Sequence, residues 1–127
     1  MSDMISFVRT VLGDILPAQM GIVYSHEHVV IEESFPTVAN KDFILSDVEK
    51  ITTELQEFYA LGGRTLVDTM PANCGRNVEK LAAVSQASKV HIIVPTGIQP
   101  THLRLGHLVR HLRAQCLRCE PLQQAKG

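Results

Sequence analysis

The sequence has few cysteines, little net charge and no long apolar segment, and each absence excludes a class of protein. Three cysteines among 127 residues form no disulfide framework, and this fits a reducing cytosol. A formal net charge of −1 does not indicate a nucleic-acid surface. No apolar segment approaches the ~20 residues of a membrane span, and the first residues do not resemble a secretory signal. We therefore expect a cytoplasmic protein without nucleic-acid or membrane partners.

The best-defined candidate site is a histidine pair, His26 and His28, within an apolar run. Residues 21–31 are mostly apolar around this pair and predict a buried β-strand. Side chains alternate along a strand, so the two imidazoles are expected on one face, where they form a two-point clamp for a divalent metal. The alternative is two histidines satisfied by backbone hydrogen bonds, because His-x-His is a short and common spacing.

The other strands are predicted from shorter patterns. A small β-hairpin over residues 7–19, with its turn at Gly13-Asp14, precedes the histidine strand. Two further apolar runs, residues 65–70 and 90–94, predict buried strands. Residues 32–43 form a polar loop without periodicity, and a loop of about a dozen residues is more often functional than idle.

Two helices are predicted between these strands. Ser46 and Glu49 form a capping box that opens an amphipathic helix, which Gly62 ends, and Asn77 caps a second helix that runs through Ala87. Strands that alternate with helices indicate a parallel sheet covered by helices. Both a doubly wound sheet and a (β/α)₈ barrel fit this order. The absence of a Gly-x-Gly-x-x-Gly motif after the first strand weakens a dinucleotide-binding interpretation.

Polar residues collect at the carboxyl ends of the predicted strands, which is the active-site face of a barrel. They are His26 and His28 on the first strand, Asp68 and Thr69 on the second, and Thr96 on the third. This placement favours the barrel over the doubly wound sheet.

Four other residues have structural interpretations that the sequence favours. Asp68 is expected to cap a turn more than to contact a metal ligand. His91 is expected to pack between strand and helix, and Cys74 to be an ordinary loop cysteine. Tyr24 has the same parity as the histidine pair and is expected in the barrel interior.

Several motifs occur together in the order that they have in a known family. They are Thr10-Val11-Leu12-Gly13, residues 21–28 ending in Ser-His-Glu-His, residues 62–68, Gly75-Arg76-Asn77 and Thr96-Gly97. From about residue 8 to residue 97, the chain resembles the phosphotriesterase family of the amidohydrolase superfamily.

The resemblance implies an α/β fold, a (β/α)₈ TIM barrel of which this chain holds the first three βα units after a small β-hairpin. It implies two divalent metal ions per complete chain, most often zinc, with His26 and His28 as ligands of the more buried ion. It also implies a small-molecule phosphotriester, lactone or related ester as substrate, hydrolysed by a hydroxide that bridges the two ions. Complete members of the family are often dimeric.

The chain departs from the family pattern after Gly97. The remaining metal ligands of the family belong to later strands, and no residue here is assigned to them or to a catalytic role. Up to Gly97 there are twelve acidic and seven Lys or Arg residues, whereas one acidic and five basic residues follow. We therefore predict that residues 1–97 are the N-terminal part of a barrel and that residues 98–127 are a divergent basic tail, helical or disordered.

The predicted tail contains one further candidate site. His107, His111, Cys116 and Cys119 have pair spacings found in zinc sites. A basic amphipathic helix or a disordered end is the favoured alternative, because no hairpin is predicted around these residues.

Two functions of different classes follow. The first is a metal-dependent hydrolase of this family, present as a truncated chain that is inactive alone. The second is a non-catalytic truncated product or interaction fragment of such a barrel. Three strands cannot close a barrel, so their inward faces, including Leu66, Ile92 and Val94 or their neighbours, are expected to lie uncovered in a marginally folded chain.

Overall fold

The computed structural model describes residues 6–98. Apart from Ile98, the predicted tail lies outside the described residues, as do its histidine and cysteine candidates, and the boundary after Gly97 stays a prediction. The strands are β1 (Val8–Thr10), β2 (Gly13–Ile15), β3 (Ile22–Glu27), β4 (Gly63–Asp68) and β5 (His91–Ile93). The α-helices are α1 (Phe35–Val38), α2 (Val48–Ala60) and α3 (Val78–Ser88), and two short 3-10 helices span Pro17–Gln19 and Lys41–Phe43.

The N-terminal hairpin forms, but its turn lies earlier than predicted. Strands β1 and β2 pair antiparallel, with Thr10 opposite Gly13. Val11 and Leu12 therefore make the turn, and the prediction of a turn at Gly13-Asp14 is wrong. The reason is the Thr10 hydroxyl, which donates to the Gly13 carbonyl at 2.7 Å and accepts from the Leu12 N–H at 3.3 Å. These bonds close the two-residue turn locally.

The hairpin also contacts the far end of the described chain. The Val11 N–H donates to the Ile92 carbonyl at 2.8 Å. Strand β1 thus lies against β5, although the two are separated by most of the described sequence.

The main sheet has three parallel strands in the order β3-β4-β5. In its register, Tyr24 is opposite Leu66, and Leu66 is opposite Ile92. Helix α2 lies between β3 and β4 in the sequence, and α3 lies between β4 and β5. The predicted succession of parallel, adjacent strands joined by helices is confirmed.

One of the two predicted helix caps is correct. Asn77 caps α3, and its side chain accepts from the Lys80 N–H at 3.0 Å, as predicted. For α2 the prediction of a Ser46–Glu49 capping box is wrong, because Asp47 is the cap and its carboxylate accepts from the Lys50 N–H at 3.2 Å. Asp47 has the extended backbone that an N-cap requires, and its ionised oxygen is a strong acceptor. Gly62, with φ of +101°, ends the helix as expected.

The hydrophobic core lies between β4 and β5 and the helices that cover them. Helix α2 packs on β4 and α3, and α3 packs on β5. Leu66 and Ile92 are 2% and 0% exposed and belong to this core together with Val30, Leu81, Val84 and Val90. The expectation that Leu66 and Ile92 lie on an uncovered face is therefore wrong. Their neighbours Val67 and Ile93, on the alternate positions, are half-buried.

Strand β3 is exposed, and the prediction of a buried strand is wrong for it. Ile22 is 65% exposed and Tyr24 is 53% exposed. Among the described residues, β3 pairs with β4 alone, while α2 and α3 pack on the other two strands. An apolar run indicates a strand, but burial requires neighbouring elements on both faces.

The long connection after β3 is more ordered than the predicted aperiodic loop. It contains α1 and the second 3-10 helix. Ile31 and Leu45 close it by exchanging two backbone hydrogen bonds of 2.9 Å each. No helix within residues 6–98 is long and apolar enough to cross a membrane.

Candidate metal centre

The histidine pair lies where β3 ends. His26 is on β3, and His28 follows the last residue of that strand. Their ring centroids are 5.7 Å apart, and the ring planes are inclined at 69°. His26 is exposed and His28 is half-buried. The structure therefore brings the two rings together at the carboxyl end of the sheet.

A bulge in β3, between Tyr24 and Glu27, includes His26. Tyr24 is opposite Leu66 and Glu27 is opposite Asp68, so three steps along β3 match two steps along β4. One extra residue reverses the side chains that follow relative to the partner strand. The bulge interrupts the alternation on which the predicted place of Tyr24 depends. Tyr24 is exposed in the described three-stranded sheet, and its place in the interior of a complete barrel stays a prediction.

His28 is held by contacts with its own strand and with β4. The His28 N–H donates to Glu27 Oε1 at 3.1 Å. In the His28 ring, Nδ1 lies 3.5 Å from Oγ1 of Thr69, at the outer limit of a hydrogen bond. Thr69 in turn donates its N–H to the Glu27 carbonyl at 2.8 Å and its hydroxyl to the same oxygen at 3.2 Å. Two consecutive residues at the end of β3, Glu27 and His28, are thereby joined to Thr69.

Asp68, at the end of β4, is fully buried. Its Oδ1 accepts from the Met70 N–H at 2.8 Å, which is the turn role that the sequence favours. Its Oδ2 is also buried and has no hydrogen-bond partner among residues 6–98. Burial raises the pKa of the carboxyl above its ordinary value, while the Met70 N–H and the attraction of His28 and Arg76 act in the opposite direction. A buried carboxyl with one unpaired oxygen thus lies beside the histidine pair.

The loop after β4 is fastened to the end of β5. Arg76 is buried, and its Nη1 donates to the Pro95 carbonyl. Cys74, in the same loop, is buried, and burial raises the pKa of its thiol, so it is not an activated nucleophile. His91 is half-buried on β5, opposite Thr65, and Thr96 is exposed beyond that strand.

An ion pair and hydrogen bonds join the loop after β3 to the start of α3, and sequence patterns did not reveal them. Lys80 Nζ contacts Glu32 Oε1 at 2.6 Å and donates to the Ser46 carbonyl at 3.0 Å. The Glu32 N–H donates to the Gly75 carbonyl at 2.7 Å. Gly75 has φ of +97°, and a Cβ there would collide with the Glu32 backbone. The partners are far apart in the sequence, so no spacing pattern signals them.

The two rings fit part of a metal shell. Zinc–nitrogen bonds of about 2.0–2.1 Å in a tetrahedral site place the centroids of two histidine ligands about 5 Å apart. The observed 5.7 Å is close to that separation. Within residues 6–98, no group of three or more His, Cys, Asp or Glu side chains could hold a metal ion. The histidine pair alone therefore does not make a complete metal-binding group within the described residues.

Comparisons with known proteins agree on one family. The family model described as the phosphotriesterase family matches residues 6–116. A phospho-furanose lactonase of Mycoplasmopsis agalactiae is 37% identical over 93 residues, which are 72% of this chain and 26% of the relative. An N-acetyltaurine hydrolase of Rattus norvegicus is 27% identical in an alignment of 133 positions that covers 80% of this chain and 38% of that protein.

Solved structures give the same result. A lactonase from Listeria monocytogenes is 39% identical, with a TM-score of 0.66 over 70% of this chain and 27% of that one. An organophosphorus hydrolase from Deinococcus radiodurans is 30% identical, with a TM-score of 0.59 over 69% of this chain and 27% of that one.

The match explains the fold of the described residues. The similarity to these structures confirms the predicted fold class, with β3, β4 and β5 as the first strands of a (β/α)₈ barrel after a small hairpin. The chain spans about a quarter of the length of the lactonases that it matches, 26% in the M. agalactiae protein. With its family model matched over residues 6–116, the chain belongs to the phosphotriesterase family.

Proposed function

We propose that this chain supplies the first metal-binding strand of a divalent-metal-dependent hydrolase, with His26 and His28 as two ligands of one ion. The observation that carries the proposal is the 5.7 Å separation of the two rings at the carboxyl end of the sheet. Zinc is the expected metal, because imidazole nitrogen is among its common ligands. By the family resemblance, a complete site holds two such ions, and no group of three possible ligands within residues 6–98 completes it.

The chemistry of such a site is ester hydrolysis. When bound, the divalent ion supplies Lewis acidity, which lowers the pKa of a bound water to about 7 and polarises the bond to be cleaved. The residues of this chain bind and orient: the histidine pair offers two neutral donors, and Thr69 and Glu27 fix the end of the strand that carries them. Burial of β4 and β5 under α2 and α3 gives these groups a rigid base.

Lactones are the proposed substrate class. Two relatives described as lactonases are 37% and 39% identical to this chain, whereas the organophosphorus hydrolase is 30% identical. A lactone is a cyclic ester, so its hydrolysis needs the same activated water as a phosphotriester. We therefore place lactones before phosphotriesters as candidates.

The test is metal binding by the 127-residue chain. Zn²⁺ is titrated calorimetrically, and Co²⁺ is titrated by visible absorption, into the wild type and the variants His26→Asn and His28→Asn. We expect at most one ion per chain, bound weakly because two imidazoles fill half of a four-coordinate shell. Each variant should lose this binding.

The matched control is His91→Gln, since His91 lies on β5, outside the histidine pair. It should bind metal as the wild type does. Binding that persists in His26→Asn and His28→Asn, or disappears in His91→Gln, would contradict the proposed ligands. Lactones and aryl phosphotriesters are assayed in the same samples, and we expect no turnover from a site with two donors.

A second candidate function is that of a non-catalytic interaction fragment. The exposed side chains of Ile22, Val23 and Tyr24 on β3 favour it, because apolar residues on a strand with one paired edge promote association. Sedimentation of the chain over a range of concentrations tests this function. A monomer at all concentrations would exclude self-association through β3.

A further inference from the structure

The other hydrogen bonds of Thr69 determine which group donates and which accepts in its contact with His28. The Thr69 N–H and the Thr69 hydroxyl both reach the Glu27 carbonyl, at 2.8 and 3.2 Å. The same hydroxyl oxygen lies 3.5 Å from Nδ1 of His28. The side-chain oxygen of Thr69, just after β4, therefore lies between the backbone carbonyl of Glu27 and the imidazole of His28, at the end of β3.

Proton counting assigns donor and acceptor in this contact. A carbonyl oxygen can only accept, so the single hydroxyl proton of Thr69 is used in the bond to Glu27. Toward His28 the hydroxyl oxygen can then present only a lone pair. A neutral imidazole carries one N–H, and that N–H must be on Nδ1 for the contact to be a hydrogen bond.

We propose that Thr69 is a positioning residue that selects the Nδ1–H tautomer of His28 and leaves Nε2 as the nitrogen available to a metal ion. The inference rests on the proposed role of His28 as a metal ligand. A histidine ligand generally donates its other ring N–H to a fixed acceptor, which sets the tautomer and the ring orientation. Here the acceptor is the Thr69 hydroxyl, whose own proton is donated to the Glu27 carbonyl.

His26 lacks the contact that assigns the tautomer of His28. Within residues 6–98, the ring of His26 makes no hydrogen bond. His26 therefore serves as an internal reference, because its tautomers should occur in the mixture typical of a free imidazole.

The tautomer is measured by long-range ¹H–¹⁵N correlation of ¹⁵N-histidine in the 127-residue chain. The pH is 8.5, about two units above the ordinary pKa of histidine. Thr69→Val removes the hydroxyl at nearly constant volume, and Thr69→Ser keeps the hydroxyl. His28→Gln identifies the His28 signals by their loss. We expect Nδ1–H for His28 in the wild type and Thr69→Ser, and the same mixture as His26 in Thr69→Val.

Two results would overturn the inference. One is an Nε2–H tautomer at His28 in the wild type, and this result stands even if Thr69→Val does not fold. The other is an unchanged Nδ1–H tautomer in a folded Thr69→Val variant. Dispersion of the amide signals reports whether each variant is folded.

Titration with Zn²⁺ alone separates this inference from the proposed function. Thr69→Val should bind zinc about tenfold more weakly than the wild type, and Thr69→Ser within about twofold. Equal affinity of all three would overturn the positioning role. If none of them binds zinc while the tautomer shifts as expected, the proposed metal role fails and the selection of the tautomer by Thr69 is supported.

Discussion

Strands β3 and β4 are neighbours in one sheet and differ sharply in burial. Leu66 on β4 is nearly inaccessible, whereas Tyr24, opposite it on β3, is about half exposed. Helices α2 and α3 account for the difference, because they pack on β4 and β5. Pairing in the sheet therefore fixes where β3 lies, and helix packing fixes which side chains leave water.

The consequence for the candidate site is a division of roles. The histidine pair lies at the end of the exposed strand, while Asp68 and Thr69, which anchor that end, lie at the end of the buried strand. Stability and metal binding should thus respond to different substitutions, and the following predictions test this from the largest expected effect to the smallest.

Leu81→Ala should have the largest effect on stability. Leu81 is fully buried on α3, and its truncation leaves a cavity that costs about 2–5 kcal/mol. That is a large fraction of the ordinary stability of a small domain, so much of the chain should unfold. The control is Leu61→Ala at the end of α2, where the side chain is 89% exposed and the expected change is below about 0.5 kcal/mol. Urea unfolding followed by circular dichroism measures both, and equal losses would contradict the assigned core.

Asp68→Asn should stabilise the chain by about 1–2 kcal/mol near pH 8. The variant keeps the acceptor for the Met70 N–H and removes a charge that burial disfavours. The pKa of Asp68 is raised in the folded state, so the wild type loses stability as pH rises through that pKa. The advantage of the variant should therefore shrink toward zero as pH falls to the ordinary value of 3.8.

The check on this prediction is urea unfolding of both proteins between pH 4 and pH 8. Asp42→Asn is the control, because Asp42 is exposed, and it should change stability by less than about 0.5 kcal/mol. A destabilised Asp68→Asn at pH 8 would mean that the charged oxygen has a stabilising partner.

A pair of identical truncations compares the two strands directly. Ile92→Val on β5 removes a fully buried methyl group and should cost about 0.5–1.5 kcal/mol. Ile22→Val on β3 makes the same change at an exposed position and should cost less than about 0.3 kcal/mol. Thermal unfolding of the two variants in parallel measures both losses of stability. Similar losses would show that β3 is covered in solution.

Lys80→Met should have the smallest effect, about 0.5–1 kcal/mol. It removes the half-buried ion pair with Glu32 and so loosens the connection after β3 from α3. Lys50→Met is the control, since its pair with Asp47 has a longer distance of 3.4 Å and is more exposed. Its expected cost is about 0.3 kcal/mol. The free energy of unfolding is measured at low and at high salt. High salt should reduce the loss caused by Lys80→Met less than the loss caused by Lys50→Met, because burial limits screening.

The sequence was sufficient for the order and type of the main elements. Apolar runs located β4 and β5, Asn77 and Gly62 marked helix ends, and alternation of strands with helices predicted the parallel sheet. These signals are local, since each depends on residues within one turn or one strand. The cap at Asp47 was missed because Ser46 beside it is an equally suitable residue type, and the backbone angles decide between them.

Features that depend on distant residues could not be predicted. An apolar run cannot reveal whether other elements cover it, so the exposure of β3 was missed. The histidine pair was found from its spacing, but the Thr69 contact with His28 spans 41 residues. The side-chain amide of Asn77 also donates to Glu32 Oε1 at 3.4 Å, a hydrogen bond that spans 45 residues. The bulge between Tyr24 and Glu27 depends on the register with β4 and has no marker such as a glycine within the strand.

The hydrogen bond from Val11 to Ile92 determines when the N-terminal hairpin can dock. It joins the first β-turn to β5, so it closes a loop of about 80 residues, whose entropic cost is about 4 kcal/mol beyond a fixed term. During synthesis the hairpin emerges from the ribosome before β5, so its docking site is complete only after Ile92 has followed. The hairpin should therefore acquire its final contacts later than its position in the sequence suggests.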